Sequence, residues 1–531
     1  MNFLKSFRRF GLPFLCCMLL AAEGRANNIT TSTGSLVNNT GTTVQVQFNI
    51  TWQNSWRIGP DRRDAAWVFV KYRTSDGAWG HCSLNNTGHT SPSGSTIAPG
   101  LVAPASAFNA STNPAVGVFI HRSADGSGTF TANGAQLLWN YSVNGVSLVD
   151  VTEIRVFAIE MVYVPQGAFF VGNGGTEVGS FTDGAWTSGA TIPRQITSEG
   201  AITIGQVAGN LWGTSSVGSS TIGPAGPLSA AFPKGFAAFY CMKYEVTQQG
   251  YVDFLNTLTY NQQVTRTATV PTSAAGSAAM FTSNTNRNGI DIQTPGVAST
   301  NPAVYACNLD GDAFYGEAGS DGTDIACNFL SWGDLTAYLD WSGLRPLTEL
   351  EFEKACRGTL PPVADAFPWG TAIAGSAYTL ANAGATNEGI ATNYSTILGN
   401  ASYGTTVGTI GGPLRVGIFA GNGGNSGRAT AGASYYGIME LGGNVSERPV
   451  TIGNVEGRAY TGAHGNGGLP PDGNPDATAW PAPTTALGAG ARGGAWTNSA
   501  SSLRVSDRNA TAGNDNLRNN FLGGRGARLA P

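Results

Sequence analysis

Gly442-Gly443-Asn444-Val445-Ser446-Glu447, followed downstream by Ala491-Arg492-Gly493-Gly494-Ala495-Trp496, decides how this chain is read. Glycines and short polar residues alternate there with single acids and aromatics. That is the composition of a loop-built fold, in which backbone carbonyls and a few carboxylates do the organising. From about residue 357 to the C-terminus no helical period appears, and Gly, Asn, Ala and Thr dominate. Upstream, three helix starts are legible. Thr247 predicts an N-cap for a helix carrying Tyr251, Phe254, Leu255 and Leu258 on one face. Ser331 predicts a second, with Leu335, Tyr338 and Leu339 inward. Thr348 with Glu351 three residues later is a capping box just after Pro346, with Phe352, Ala355 and Cys356 inward.

Bulk properties bound the function. The chain has 531 residues, 41% of them hydrophobic and only 12% charged, so it is globular and long enough for two or three domains. Seventy-four glycines and a low charge fit a loop-rich, strand-rich extracellular protein better than a helical cytosolic enzyme. A net charge of −4 gives no basic footprint for nucleic acid. Four scattered histidines leave little for a His-based metal centre. Lys5, Arg8 and Arg9, the apolar run Phe10 to Ala22, and Gly24-Arg25-Ala26 make a cleaved secretory signal at 1–26. The run is too short for a membrane span. Cleavage leaves five cysteines: Cys82, Cys241, Cys307, Cys327 and Cys356. Cys307 and Cys327 bracket a Gly/Asp-rich loop and are the expected disulfide in an oxidising compartment.

Residues 27–158 read as a β-sandwich of immunoglobulin or fibronectin type. Val44, Val46, Phe48, Ile50 and Trp52 alternate with polar residues, and strand-like runs follow at Ala65–Tyr72, Val116–His121, Gln136–Tyr141 and Glu153–Ile159. Trp52, Trp56, Trp67 and Trp139 are expected in its core. A second domain, 159–531, opens with Met161–Pro165 and Phe169–Gly172 as an expected hairpin. The Gly/Ser/Thr-rich 173–230 reads as a surface insertion. The fold class is therefore α+β, a sandwich followed by a loop-rich domain.

Five segments in order carry a family resemblance: Met161–Pro165, Tyr244-Glu245-Val246-Thr247, Trp341–Glu349, Phe367-Pro368-Trp369-Gly370, and the Gly-rich pair quoted first, with a final Gly523–Arg528. Over roughly 160–531 the chain resembles the formylglycine-generating enzymes, the sulfatase-modifying-factor family. The resemblance implies a C-type-lectin-like fold. It also implies oxidation of a sulfatase cysteine by copper held on two thiolates, which suit Cu(I). Carried over by position, those cysteines fall on Asn498 and Leu503, and an active-site serine falls on Ala495. No copper is therefore expected. The family's calcium implies one site from the Glu440 and Glu447 carboxylates with the Gly443 and Val445 carbonyls. It implies a second at Asn382, the Ala383 carbonyl and Gly417–Phe419, where Gly417 replaces the usual acid.

Arg492, Arg504, Arg508, Arg525 and Arg528 read as structural guanidinium groups satisfying buried oxygens. Glu349, Glu351 and Glu353 read as capping and solvated acids of one helix. The leading functional expectation is a secreted, non-catalytic, bacterial-looking member of the family. It would act at the cell surface on an extracellular protein or glycan, or by self-assembly, with Trp496, Asn498, Ser499 and Ser502 as ligand contacts. Two alternatives stand beside it. One is an enzyme using an unrecognised site. The other is a retroelement-diversified lectin-like receptor, for which Thr497–Ser502 and Ala510–Phe521 look like variable segments.

Overall fold

The computed structural model describes residues 28–215, 218–375, 378–404, 409–513 and 515–531. The expected signal segment, with Cys16 and Cys17, lies outside them. The chain is mostly sheet and irregular loop with few helices. The front half contributes strands β1 (Thr30–Thr31), β2 (Ser35–Val37), β3 (Val44–Arg57), β4 (Asp64–Thr74), β5 (Trp79–His81), β6 (Ser95–Leu101), β7 (Ala115–Arg122), β8 (Gly126–Trp139) and β9 (Val151–Val164). β1 and β2 pair with one edge of β3 and β8 with the other, while β9, β4, β7 and β6 run side by side in a second sheet. The alternation in β3 works as expected: Val44, Val46, Phe48, Ile50 and Trp52 join Val68, Val70, Ile120, Leu137 and Trp139 in one apolar cluster between the sheets.

The second sheet does not stop at the expected 158/159 boundary. β9 runs through it without a break. Its first part pairs with β4, from Val151↔Thr74 to Val162↔Asp64, and its last four residues also pair with β10 (Phe239–Met242). Beyond β10 come β13 (Gly526–Leu529) and β12 (Arg345–Pro346), so one eight-stranded sheet joins the two halves of the chain. β4 is consequently buried on both faces. Ala66, Val68 and Val70 point into the first cluster; Ala65, Trp67 and Phe69 pack with Tyr240, Met242, Tyr251, Phe254 and Trp341 in another. Trp67 Nε1 donates to the Ser342 carbonyl at 2.8 Å, and the Lys71 ammonium donates to the Trp341 carbonyl at 2.8 Å. Trp52, Trp67 and Trp139 are core residues, but Trp67 serves the junction. Trp56 is half-buried against the C-terminal half.

Helices α1 (Gln248–Leu255), α2 (Tyr260–Arg266), α3 (Trp332–Trp341) and α4 (Glu349–Arg357) follow. Thr247 caps α1 by accepting the Gly250 N–H, and Ser331/Asp334 and Thr348/Glu351 form complete capping boxes on α3 and α4. The sequence reading missed α2, although Thr259 and Gln262 make the same box. Two other expectations are corrected. Met161–Val164 and Phe169–Val171 do not form a hairpin, because the first pairs with β10 and the second with Arg194–Ile196. Residues 173–230 are not a surface insertion. Phe181, Ile204, Leu211, Ile222 and Leu228 sit on short strands and turns and are buried against Trp332, Leu350, Val450 and Ile452. No helix among the described residues is long and apolar enough to cross a membrane.

Cys307 and Cys327 are separate, buried thiols, which corrects the expected bridge. β11 (Val304–Cys307) pairs Cys307 with Ile290, and the Cys327 N–H is committed to the Val246 carbonyl. The two sulfurs face different acceptors, Gln249 Oε1 and the Asn328 carbonyl.

Candidate functional site

The C-terminal loops are tied to α4 by buried ion pairs. Glu349 accepts from the Ile452 N–H (2.8 Å), Thr451 Oγ1 (3.0 Å), Thr511 Oγ1 (2.6 Å), Arg508 Nε and Nη2 (2.8 and 3.1 Å) and Arg492 Nη1 (3.3 Å). Burial disfavours its charge, but Arg508, Arg492 and the hydroxyls outweigh that and hold the carboxyl down at about 2. Glu353 takes Arg492 Nη2 at 2.9 Å and the Gly172 N–H at 2.8 Å, while Arg345 grips Glu351 with both nitrogens at 2.8 and 2.6 Å. All three acids are buried, which corrects the expectation that they are solvated; only Glu351 also caps. The structural reading of the arginines holds for four. Arg492, Arg508, Arg525 and Arg528 are fully enclosed on carboxylates and carbonyls, whereas Arg504 pairs with Asp365 in a partly exposed contact.

The two glycine-rich segments lie against each other. The Gly443 N–H donates to the Gly493 carbonyl at 2.9 Å, the Trp496 N–H to the Asn444 carbonyl at 2.9 Å, and Glu447 and Arg492 exchange both backbone bonds at 3.0 Å. Gly443 has φ 93° and Gly493 φ 78°. A Cβ would stand 2.3 Å from the Ser402 carbonyl oxygen at the first and 2.5 Å from the Leu441 carbonyl oxygen at the second, so only glycine allows the approach. Beneath the loop lies Glu245, a residue the sequence reading quoted without assigning a role. Its carboxylate takes Asn444 Nδ2 at 2.6 Å and the Val445 N–H at 3.0 Å, clamping the turn. Glu440 accepts the Gly417 N–H at 2.9 Å through Oε1, and Glu447 accepts Arg525 Nε at 2.6 Å through Oε1. The second oxygen of each is buried without a hydrogen-bond partner. Burial pushes Glu440 up to about 7, against the pull of the Gly417 N–H, Arg525 and Arg415 and with help from Glu447. Glu447 and Glu245 are also raised, first by burial.

The segment from Ala495 to Leu503 folds back on itself. The Asn498 side-chain carbonyl accepts the Ala495 N–H at 2.8 Å, and the Asn498 N–H returns to the Ala495 carbonyl at 2.9 Å. Ser499 leads into a 3₁₀ turn, Ala500–Leu503, with its hydroxyl 2.8 Å from that of Ser501. Leu503 is fully buried among Phe367, Trp369, Ala401 and Tyr403. Asn498, Ser499 and Ser502 therefore share one partly exposed turn. Trp496 does not face outward with them. Its ring is 8% exposed, packed with Tyr378, Leu414 and Phe419, and its Nε1 donates to the Asn520 carbonyl at 2.9 Å.

The sulfatase-modifying factor enzyme 1-like domain matches residues 153–530. The chain belongs to this family. Among curated proteins nothing matches it. The family match begins inside β9, the strand shared by both halves of the sheet.

A sulfatase-modifying factor domain implies calcium, and the two expected sites differ in how well their residues fit it. At the first, the Glu440 and Glu447 carboxylates each present one buried, unpaired oxygen, and the Gly443 and Val445 carbonyls belong to the same tight loop. This oxygen-only set fits a hard cation. No group of three His, Cys, Asp or Glu side chains among the described residues is placed to hold a metal, so backbone carbonyls would have to supply the remaining oxygens. The second is less well supplied. Asn382 and Ala383 are exposed, and Gly417 brings no carboxylate. Glu388, the acid nearest to them in sequence, is gripped by Arg287 and also takes the Gly384 and Arg415 N–H groups. Glu388 is thus already neutralised by an arginine.

Proposed function

We propose that this protein is an exported, non-catalytic sulfatase-modifying-factor family member that acts as an extracellular binding or structural module. Its front half is read as an immunoglobulin- or fibronectin-like sandwich and its C-terminal half as the family's C-type-lectin-like domain. The observation that carries the reading is the pair Asn498 and Leu503. One turns its amide back onto its own loop, and the other is an apolar plug under Phe367 and Trp369. Neither offers a thiolate, which Cu(I) requires. The five described cysteines lie elsewhere and are buried, which pushes every thiol up, Cys241 to about 12. The partly exposed Asn498–Ser502 turn supplies amide and hydroxyl groups suited to a protein or glycan partner. A structural calcium at Glu440, Gly443, Val445 and Glu447 would support the same loop from behind.

The deciding experiment incubates purified protein with Cu(I), oxygen and a sulfatase-derived cysteine peptide. The peptide mass is expected to stay unchanged. Formylglycine above a copper-only control would overturn the reading. Export is checked by intact mass from the native host: the expected mature chain begins at Asn27, and retention of Met1 would remove that part.

A further inference from the structure

A cleft lies between the β9 stretch Val156–Glu160 and the first turns of α1, on a part of the molecule the copper question does not touch. It has two lobes that share Ile29, Ala158, Ile159, Gly250, Asp253 and Tyr338. One lobe, of ≈ 180 Å³, is lined by the acidic residues Glu160, Glu245, Asp253 and Asp324, of which Glu245 is already clamped on Asn444 and Val445. The other, of ≈ 140 Å³, is walled by the rings of Phe69, Phe157, Tyr338 and Trp341.

Two acids of this lobe are incompletely satisfied. Lys243 meets Glu160 Oε2 at 2.9 Å, but Glu160 Oε1 has no hydrogen-bond partner although the residue is only 3% exposed. Asp253 is held by the neutral amide of Gln249 at 2.8 Å. Of the nearby cations, Arg525 is bound to Glu447 and Arg155 to Glu153 at 2.6 Å, while Arg415 lies within electrostatic reach of Asp324. The ring lobe is a box, with Trp341 5.0 Å from Phe69, 5.0 Å from Phe157 and 5.6 Å from Tyr338, centroid to centroid. Lys71 Nζ also lies 5.0 Å from the Trp341 ring, although burial there lowers its affinity for a proton.

A buried unpaired carboxylate oxygen calls for a cation. A divalent metal would need several oxygens converging on one point. These acids are spread around a cavity, and no three among the described residues form a metal-holding group. Carboxylates next to aromatic faces are instead the chemistry that recognises organic ammonium. We propose that this cleft binds an alkylammonium group, with its cationic head at Asp253, where the two lobes meet, and its aliphatic stem along Ile29 and Ile159. The source is a free amine or the side chain of a lysine, native or methylated.

The test is calorimetric titration of the full chain, kept in calcium so that the Glu440 loop is filled. The probes are butyltrimethylammonium, n-butylamine and Nα-acetyl-lysine amide, with n-butanol as the uncharged control. Saturable binding of the ammonium probes and none of butanol is expected, and the lysine arm against the free-amine arm separates the two sources. Asp253→Asn should weaken binding about tenfold or more, the scale of one charged contact. Equal binding of butanol, unchanged affinity in Asp253→Asn, or no heat with any ammonium probe at millimolar concentration would overturn the proposal. Displacement of the probes by added Mg2+ would do the same, because it would make the cleft a metal site. If Asp253→Asn fails to fold, the butanol comparison on the unaltered protein still decides. A negative result here leaves the formylglycine assay untouched, and the reverse holds.

Discussion

Arg508 and Glu349, 159 residues apart, meet in a fully enclosed two-point contact, Nε–Oε2 2.8 Å and Nη2–Oε1 3.1 Å. The same guanidinium donates to the Gly179 carbonyl at 2.7 Å. One pair thus joins the start of α4, the loop after Leu503 and the 173–230 segment. In a domain with few helices, such contacts replace the regular ladders that would otherwise satisfy buried backbone and charge.

Breaking this pair on one side should be severe. Glu349→Ala strands Arg508 in the core and removes one of the two carboxylates that hold Arg492, a loss on the order of 3–5 kcal/mol. The carboxyl is held at about 2, below its ordinary 4.5. A depressed carboxylate adds stability that is complete above about 4.5 and is lost as pH falls toward 2. That contribution is on the order of 3 kcal/mol at neutral pH. Urea midpoints between pH 7 and pH 3 should therefore show an acid limb that is shallower in Glu349→Gln. An identical acid limb in that variant would remove Glu349 as its cause.

The shared sheet predicts that both halves of the chain unfold together. Trp67 is enclosed by elements of both, hydrogen-bonded to Ser342 and covered by Arg528 with its guanidinium carbon 4.3 Å from the ring centroid. Trp67→Ala should cost about 3–5 kcal/mol. Calorimetry of the intact protein should give one transition that shifts down as a whole. A fragment starting at residue 151 should aggregate, because it exposes the β9 edge and the apolar face that β4 covers. Two independent transitions, or a soluble fragment melting like the parent, would sink the idea.

What could be read from sequence was mostly local. Thr247, Ser331 and Thr348 announce their helices because a cap and its partner are three residues apart. Thr259 carries the same signal, but α2 buries Gln262, Gln263 and Arg266 instead of an apolar stripe, so no periodicity supported it. In 173–230 each buried apolar residue lies on its own short strand or turn, which leaves no period to detect. The run Ala65–Val70 did hold a usable clue: an unbroken apolar strand is one covered on both faces. At the candidate site, Glu440 and Glu447 were reachable from a neighbouring motif. The clamp by Glu245 on Asn444 joins residues 199 positions apart and has no local trace.

The thiols give a direct count. All five described cysteines are buried and unbridged. A thiol reagent should label none in the native protein. After denaturation it should label five in a chain beginning at Asn27, with or without prior reduction. Three labelled thiols without reductant and five with it would restore a Cys307–Cys327 disulfide.

Calcium is tested at the loop that decides the fold. Glu440 Oε2 and Glu447 Oε2 are buried and unpaired, and the two acids raise each other's cost of ionisation. An ion seated there would remove that cost and bind only the folded state, so stability should rise with its concentration. At a hundredfold excess over the dissociation constant the gain is about 2.7 kcal/mol. Chelator should lower the melting midpoint, and added calcium should restore it more effectively than magnesium, whose smaller shell suits carbonyl-rich loops poorly. Glu447→Ala should have a lower midpoint even in calcium, since it also strands Arg525, and its midpoint should not respond to chelator. Glu440→Gln separates the two effects. It keeps the Gly417 contact through its amide oxygen and removes one charge, so it should lose the calcium response while staying close to the metal-free parent in stability. A parent midpoint indifferent to chelator after exhaustive metal removal, or a full calcium response in Glu440→Gln, would take calcium away from this loop.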